Sequence, residues 1–157
     1  MTQNVRLERP WGNGRIVWIR DAVADDSSKD FICPADKIWT PLFIEVSLKA
    51  TATVGNRSIS MRLFNAANAL IMTIRSGGNI AATQYGTVLY VFGASPSADA
   101  TAVLDLTGTA VATTSLMMGS PSLYMIAGQY IRVFDQNAVD AAADDMVVSF
   151  HYIEYDA

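Results

Sequence analysis

Two stretches of the chain alternate apolar and polar residues with a period of two. In residues 42–50 every second position is aliphatic, and residues 58–63 repeat the pattern. Successive side chains of a strand point to opposite faces of a sheet, so this period is typical of half-buried strands. Between the two stretches lies Val54-Gly55-Asn56, whose glycine and asparagine tolerate the backbone of a tight turn.

The pattern over residues 38–64 therefore predicts a two-stranded antiparallel hairpin at the centre of the fold. One face of its first strand should be buried, with Ile44 and Val46 inside. The opposite face, with Glu45 and Lys49, should be more exposed. A slip of one residue in register would reverse these faces.

Further short stretches of apolar, β-branched or aromatic residues are separated by turn-forming residues. They are 15–20, 69–75, 83–92, 129–134 and 145–155. Residues 31–39 lead into the hairpin, and residues 135–143 fit one helical turn or a tight connection. About eight strand candidates and no amphipathic helix of normal length predict an all-β fold, an antiparallel β-sandwich of jelly-roll type.

The N-terminal residues 1–14 are interpreted as an extended arm, and residues 15–157 as a single β-sandwich domain. Proline and glycine interrupt any regular element in the arm. Trp11 lies among arginines there, and tryptophan and arginine are common anchors of protein interfaces. We therefore predict that Arg9, Trp11 and Arg15 bind a partner; in the alternative, Trp11 folds back onto its own domain.

Residues 93–121 are dominated by Ala, Ser, Thr and Gly. A segment this long without clear strands is uncommon in a compact domain unless it binds something. A weak hairpin over 104–113 is one interpretation of it. Met117 and Met118 are predicted to contact a partner, because methionine adapts to irregular apolar surfaces. Filling the core of the domain is the alternative role for this pair.

Composition favours a subunit of an assembly. Of the 157 residues, 51% are hydrophobic and only 17% are charged, and the mean hydropathy is +0.23. No apolar run reaches the roughly 20 residues of a membrane helix, and no basic region followed by an apolar run begins the chain, so neither a membrane span nor a secretory signal is expected. The surplus apolar surface is then explained by burial against other protein, or the chain is a somewhat adhesive monomer. A formal charge of −4 argues against nucleic-acid binding.

The sequence contains no recognised catalytic motif, and we expect neither an enzyme nor a cofactor. The lone Cys33 lies in an apolar context typical of an inert buried thiol, and the lone His151 is interpreted as a sheet histidine. Four aspartates, at positions 135, 140, 144 and 145, could supply oxygen ligands to calcium. They lack the spacing of a calcium-binding loop, and aspartate is also common in turns.

Three segments resemble small virion proteins of tailed bacteriophages. They are 53–57 (TVGNR), 129–135 (QYIRVFD) and 140–146 (DAAADDM). The resemblance covers roughly residues 38–155 and leaves the arm and much of 93–121 unmatched. It implies a β-sandwich subunit of a phage particle, located on the capsid, neck or tail, and it transfers no functional residues.

Two functions follow as hypotheses. The first is a capsid decoration (cement) protein, made in the host cytoplasm and located in the virion. It would form a homo-oligomer, a trimer, and would bind the phage major capsid protein or another virion protein with its arm. The second is a carbohydrate-binding or receptor-binding module of a phage tail or baseplate.

Overall fold

Two β-sheets and their connections make up the part of the chain that the structure describes. This computed structural model describes residues 14–92, 115–118 and 123–157, except positions 24, 26, 77, 141 and 142; for 115–118 it describes the backbone. Nine strands lie in these ranges, without a helix. They are β1 (Arg15–Asp21), β2 (Lys29–Ile32), β3 (Lys37–Lys49), β4 (Ile59–Phe64), β5 (Leu70–Arg75), β6 (Tyr85–Phe92), β7 (Ser115–Met118), β8 (Tyr130–Asp135) and β9 (Asp145–Asp156).

The strand order is that of a jelly roll. Sheet I has the order β1-β9-β3-β6-β7 and sheet II has the order β2-β8-β4-β5. The antiparallel pairs are nested along the chain, with β1 on β9, β2 on β8, β3 on β6 and β4 on β5. This arrangement is a long hairpin rolled into two facing sheets, so the predicted all-β sandwich and its jelly-roll type are confirmed. The short β7 extends sheet I by pairing parallel to β6.

One hydrophobic core fills the space between the sheets. Sheet I contributes aliphatic and aromatic side chains from β3, β6 and β9, including Ile44, Tyr90 and Phe150, and sheet II contributes Met61 and Ile131. All five are fully buried. The deeply placed Tyr90 hydroxyl donates to the carbonyl of Ile59 across the core at 3.1 Å, which satisfies its polar atom.

The predicted hairpin over residues 38–64 is wrong in its pairing, although its faces are confirmed. Ile44 and Val46 are fully buried and Glu45 is exposed. However, β3 pairs with β6 and β9 in sheet I, whereas β4 pairs with β5 and β8 in sheet II. The alternation requires only an apolar face turned to the core, and two strands facing each other across a core satisfy it as well as two hydrogen-bonded neighbours do.

A β-bulge explains where the simple alternation fails in β3. Pro41 pairs with Tyr152 and Phe43 pairs with His151, so Leu42 is an extra residue without a partner in β9. Before the bulge Trp39 and Pro41 point to the core, and after it Ile44 does. A single inserted residue changes whether the odd-numbered or the even-numbered residues of the strand face the core. Leu42, expected on the buried face, is only half-buried.

Candidate interaction surfaces

The outer face of sheet I brings aromatic and aliphatic side chains from four strands into one band. The register places Trp18 of β1 opposite His151 of β9, His151 opposite Phe43 of β3, and Phe43 opposite Val91 of β6. Ile16 and Ile153 form the adjacent row. We call these six residues the aromatic stripe.

The rings of the stripe stack on one another. The centroids of Phe43 and His151 lie 4.1 Å apart with an interplanar angle of 17°, and those of Trp18 and His151 lie 6.3 Å apart at 18°. His151 is half-buried between its neighbours, in agreement with its interpretation as a sheet histidine. Stacked rings lose little side-chain freedom when a partner covers them, which suits a binding surface.

The stripe is exposed where it reaches the edge strand β1. Ile16 is 75% exposed and Trp18 is 61% exposed. Single exposed apolar residues are ordinary, but a contiguous group is typical of a surface that binds another molecule. The stripe combines aromatic rings with aliphatic side chains and contains no carboxylate. The centres of protein interfaces are likewise rich in aromatic residues and poor in charged ones.

A polar groove continues the same face beyond the stripe. Its volume is about 390 Å³, and its lining includes Arg20, Glu45, Lys49, Tyr85 and Asp145. Oδ1 of Asp145 is buried without a hydrogen-bond partner among the described residues. The groove therefore offers charged and hydroxyl groups next to an aromatic platform.

Of the predicted partner-binding residues, Arg15 precedes Ile16 of the stripe in β1, but its side chain lies on the opposite side of sheet I, the side of Val17 and Ile19 that pack against the core. It begins β1, and its Nε and Nη2 donate to Oε1 of Glu154 at 3.0 and 2.6 Å; this hydrogen bond and the charge of Glu154 raise the pKa of the Arg15 guanidinium. The preceding residue is Gly14, where a Cβ would come within 2.4 Å of Ile153 Cγ2. A larger residue at this position would require the side chains of Ile153 and Tyr155 to move.

The other predicted residues are only partly placed. Arg9 and Trp11 lie outside the described residues, as does the weak hairpin predicted over 104–113. Met117 and Met118 belong to β7, with backbones in register with Val91 and Phe92. The register thus places the Met117 backbone in the row that contains Phe43 and Val91.

The four aspartates considered as possible calcium ligands mostly bind groups of the protein itself. Asp144 pairs with Arg57 at 2.6 Å, both fully buried, and Asp140 accepts hydrogen bonds from the hydroxyls of Thr51 and Thr53 at 2.7 Å. Within the described ranges, no group of three or more His, Cys, Asp or Glu residues is arranged to hold a metal ion.

Electrostatics at Asp144 favour its charged form. Burial raises the pKa of this carboxyl, but the hydrogen bonds from Arg57 and Thr51 and the charge of Arg57 outweigh burial, and the net pKa lies below the usual value. The hydroxyls of Thr51 and Thr53 likewise lower the pKa of Asp140. These carboxylates therefore hold the connection between β3 and β4 in place.

Cys33 is buried, and its thiol donates to the carbonyl of Lys37 at 3.3 Å. Burial raises the pKa of the Cys33 thiol to about 11. A thiol with this pKa is protonated at neutral pH and is a poor nucleophile. This agrees with its interpretation as an inert core residue.

The sequence does not predict the aromatic stripe as a unit. Trp18, Phe43 and His151 each occupy an outward position of a strand that the sequence predicts. Only the strand order brings the three side chains together, because His151 is more than 100 residues from the other two along the chain. The polar groove likewise forms only because β1, β9, β3 and β6 are neighbours in sheet I.

Comparisons with known proteins give a weak structural likeness only. No protein-family model matches the sequence, and no curated protein matches it. A structure of infectious bursal disease virus, Gx strain, matches with a TM-score of 0.34 and 9% identity over 90% of this chain and 38% of that chain. The D431N mutant VP2 protein of the same virus, in derived T=1 particles, matches with a TM-score of 0.31 and 9% identity over 99% of this chain and 44% of that chain.

A further structure of T=1 particles derived from that virus has a TM-score of 0.32 and 10% identity, again over 99% of this chain and 44% of that chain. The present chain thus spans less than half the length of the solved chains it matches. TM-scores this low carry no conclusion about function. No helix in the described part of the chain is long and apolar enough to cross a membrane.

Proposed function

We propose that the chain is a structural protein of a bacteriophage virion, and more narrowly a capsid decoration subunit that binds the phage major capsid protein. The aromatic stripe on the outer face of sheet I is the observation that carries this proposal. Jelly rolls serve in viral capsids and also in lectins, so the fold alone does not choose between these roles.

The stripe supports a contact with protein because of its size and composition. Burying Ile16 and Trp18 against a partner would contribute about 2–3 kcal/mol for each side chain. Tryptophan is common among the anchors of interfaces, and Trp18 lies in the exposed part of the stripe. Arg15 lies at the edge of the same strand, with its side chain on the other side of the sheet. Residues 1–13 join the sheet at the same end, so Arg9 and Trp11 can extend the contact.

In this proposal Met117 and Met118 contact the partner at the other edge of sheet I. The chain is a homo-oligomer, a trimer, located in the virion after synthesis in the host cytoplasm. It binds neither nucleic acid nor membrane and needs no cofactor. We also propose that it performs no catalysis; a turnover that is lost on His151→Asn with the fold intact would contradict this part.

The groove beside the stripe supports a second candidate, a carbohydrate-binding module of a phage tail. Sugar hydroxyls need hydrogen-bonding groups, which Glu45, Lys49 and Asp145 could supply, and Trp18 or Tyr85 could stack on a sugar ring. A site built from a few polar groups beside an apolar wall is typical of small-ligand binding.

Co-sedimentation with empty capsids that lack this protein tests the decoration role. The wild-type chain should co-sediment, and the double variant Ile16→Ser/Trp18→Ser should bind at least about tenfold more weakly, since two large apolar contacts are lost. The matched control is Leu70→Ser/Ile71→Ser, an exposed apolar pair on the edge strand of sheet II, which should bind like wild type.

Two results would contradict the decoration role. One is a wild-type chain that does not bind capsids. The other is equal loss of binding by both double variants, which would indicate general adhesion rather than a specific surface. Specific sugar binding on a glycan array, measured with and without calcium and without capsid binding, would favour the tail module.

A further inference from the structure

The outer face of sheet II concentrates arginine and aromatic side chains. Outward positions of β4, β5 and β8 carry three arginines and three rings, which the register places in adjacent rows. They are Arg62, Phe64, Arg75, Tyr130, Arg132 and Phe134. We call this set the arginine–aromatic face; it lies on the opposite side of the sandwich from the aromatic stripe.

The rings and guanidinium groups of this face are held in a fixed arrangement. Phe64 and Tyr130 stack with their centroids 4.7 Å apart and their planes 10° from parallel. The guanidinium carbon of Arg132 lies 5.5 Å from the Tyr130 ring centroid, and that of Arg62 lies 4.6 Å from the Phe134 centroid. Cations over ring faces are attracted to them, so the surface is organised before any partner binds.

The positive charge of the face is only partly neutralised. Arg132 forms a two-pronged pair with Asp30, at 2.7 and 2.6 Å. Within the described ranges, neither Arg62 nor Arg75 has a carboxylate within ion-pair distance. In addition, Nε of Arg62 is buried without a hydrogen-bond acceptor. Two of the three guanidinium groups therefore have no carboxylate partner among the described residues.

We propose that the arginine–aromatic face binds a carboxylate-rich surface of a partner protein. The chain as a whole carries a net charge of −4, so an acidic partner is repelled by the molecule in general and attracted at this face. Such a charge distribution orients a partner more than it adds affinity. A carboxylate is also the acceptor that guanidinium groups such as those of Arg62 and Arg75 bind through two parallel hydrogen bonds.

Binding of fluorescently labelled poly-L-glutamate at low salt tests this proposal. The double variant Arg62→Gln/Arg75→Gln should bind the peptide about tenfold more weakly than wild type, because charge-assisted hydrogen bonds are lost. The matched control is Arg20→Gln/Lys49→Gln, which removes the same charge from two cations of the sheet I groove and should bind as wild type does. The single variant Arg75→Gln, on the exposed edge strand, should show an intermediate loss of peptide binding. It tests the face even if the double variant misfolds.

Several outcomes would overturn the proposal. They are no binding of poly-L-glutamate by wild type, equal weakening by both double variants, tighter binding of single-stranded DNA of matched charge, and a changed oligomeric state of Arg62→Gln/Arg75→Gln in light scattering. The last result would assign the face to a second copy of this chain. Trp18→Ser should bind the peptide normally, so this test can succeed or fail independently of the decoration role.

Discussion

At the scale of single residues, a few buried polar side chains fix the connections between the sheets. Arg57 is the clearest case, since it is fully buried between β3 and β4. Its guanidinium donates to both oxygens of Asp144 and to the carbonyls of Thr53 and Gly55. All these acceptors lie in connections, so one side chain ties the 50–58 segment to the start of β9.

Replacing Arg57 should therefore be costly. We expect Arg57→Met to lower the free energy of unfolding by about 3–5 kcal/mol, because it leaves Asp144 buried and unpaired. The double variant Arg57→Met/Asp144→Leu should lose less than the sum of the two single variants. Urea denaturation measures all three, with Lys37→Met, whose partner Asp156 is 92% exposed, as a control costing about 1 kcal/mol or less. A cost for Arg57→Met as small as that of the control would contradict this role.

The same pair predicts how stability depends on pH. The pKa of Asp144 is lowered in the folded state, so this group stabilises the fold above its unfolded pKa of about 3.9 and loses that contribution as pH falls through the folded pKa. We expect the free energy of unfolding of wild type to decline below about pH 4. Asp144→Asn should be less stable at pH 7 and should decline less steeply in acid. Parallel pH curves for the two proteins would rule out this contribution.

At the scale of elements, the sequence predicted most strands but not their partners. The stretches 15–20, 69–75, 83–92, 129–134 and 145–155 all contain strands, because apolar, β-branched and aromatic runs bounded by turn residues are typical of strands. Alternation carries no information about which strand lies alongside, so the hairpin over 38–64 was mispaired. The strand β2 was missed because four residues are too few to establish a period.

The bulge in β3 allows a direct test of the register assigned to β3 and β9. Deleting Leu42 should leave a folded protein, because Pro41 and Phe43 would then face consecutive residues of β9 and the apolar face would stay inward. Deleting Ser47, the control, should abolish folding, because one missing residue turns the remainder of the strand around. Circular dichroism and thermal unfolding distinguish the two. An unfolded Leu42 deletion or a folded Ser47 deletion would contradict the assigned register.

At the scale of the whole molecule, two chemically different faces lie on opposite sides of one sandwich. The aromatic stripe covers sheet I and the arginine–aromatic face covers sheet II. Neither set was predicted from the sequence, since each combines strands that are distant along the chain. The low proportion of charged residues did predict that part of the surface is buried against other proteins. The exposed apolar residues of the stripe are consistent with that prediction.

The N-terminal arm gives a prediction at this scale. Ordering a residue costs about 1–2 kcal/mol of backbone entropy, and burial of Trp11 alone would recover only a few kcal/mol. We therefore expect deletion of residues 2–12 to leave the melting temperature of the isolated protein nearly unchanged and to weaken its attachment to particles. If the deletion instead unfolds the isolated protein, and particle binding does not need the arm, Trp11 belongs to the core.

Imaging of labelled particles shows directly whether the protein is located on the capsid. Virions carrying this protein with an electron-dense label on its C-terminus should be examined by negative-stain microscopy. If the protein decorates the capsid, label should lie at regularly repeated positions over the capsid shell. Label confined to the tail, or absent from purified particles, would contradict it.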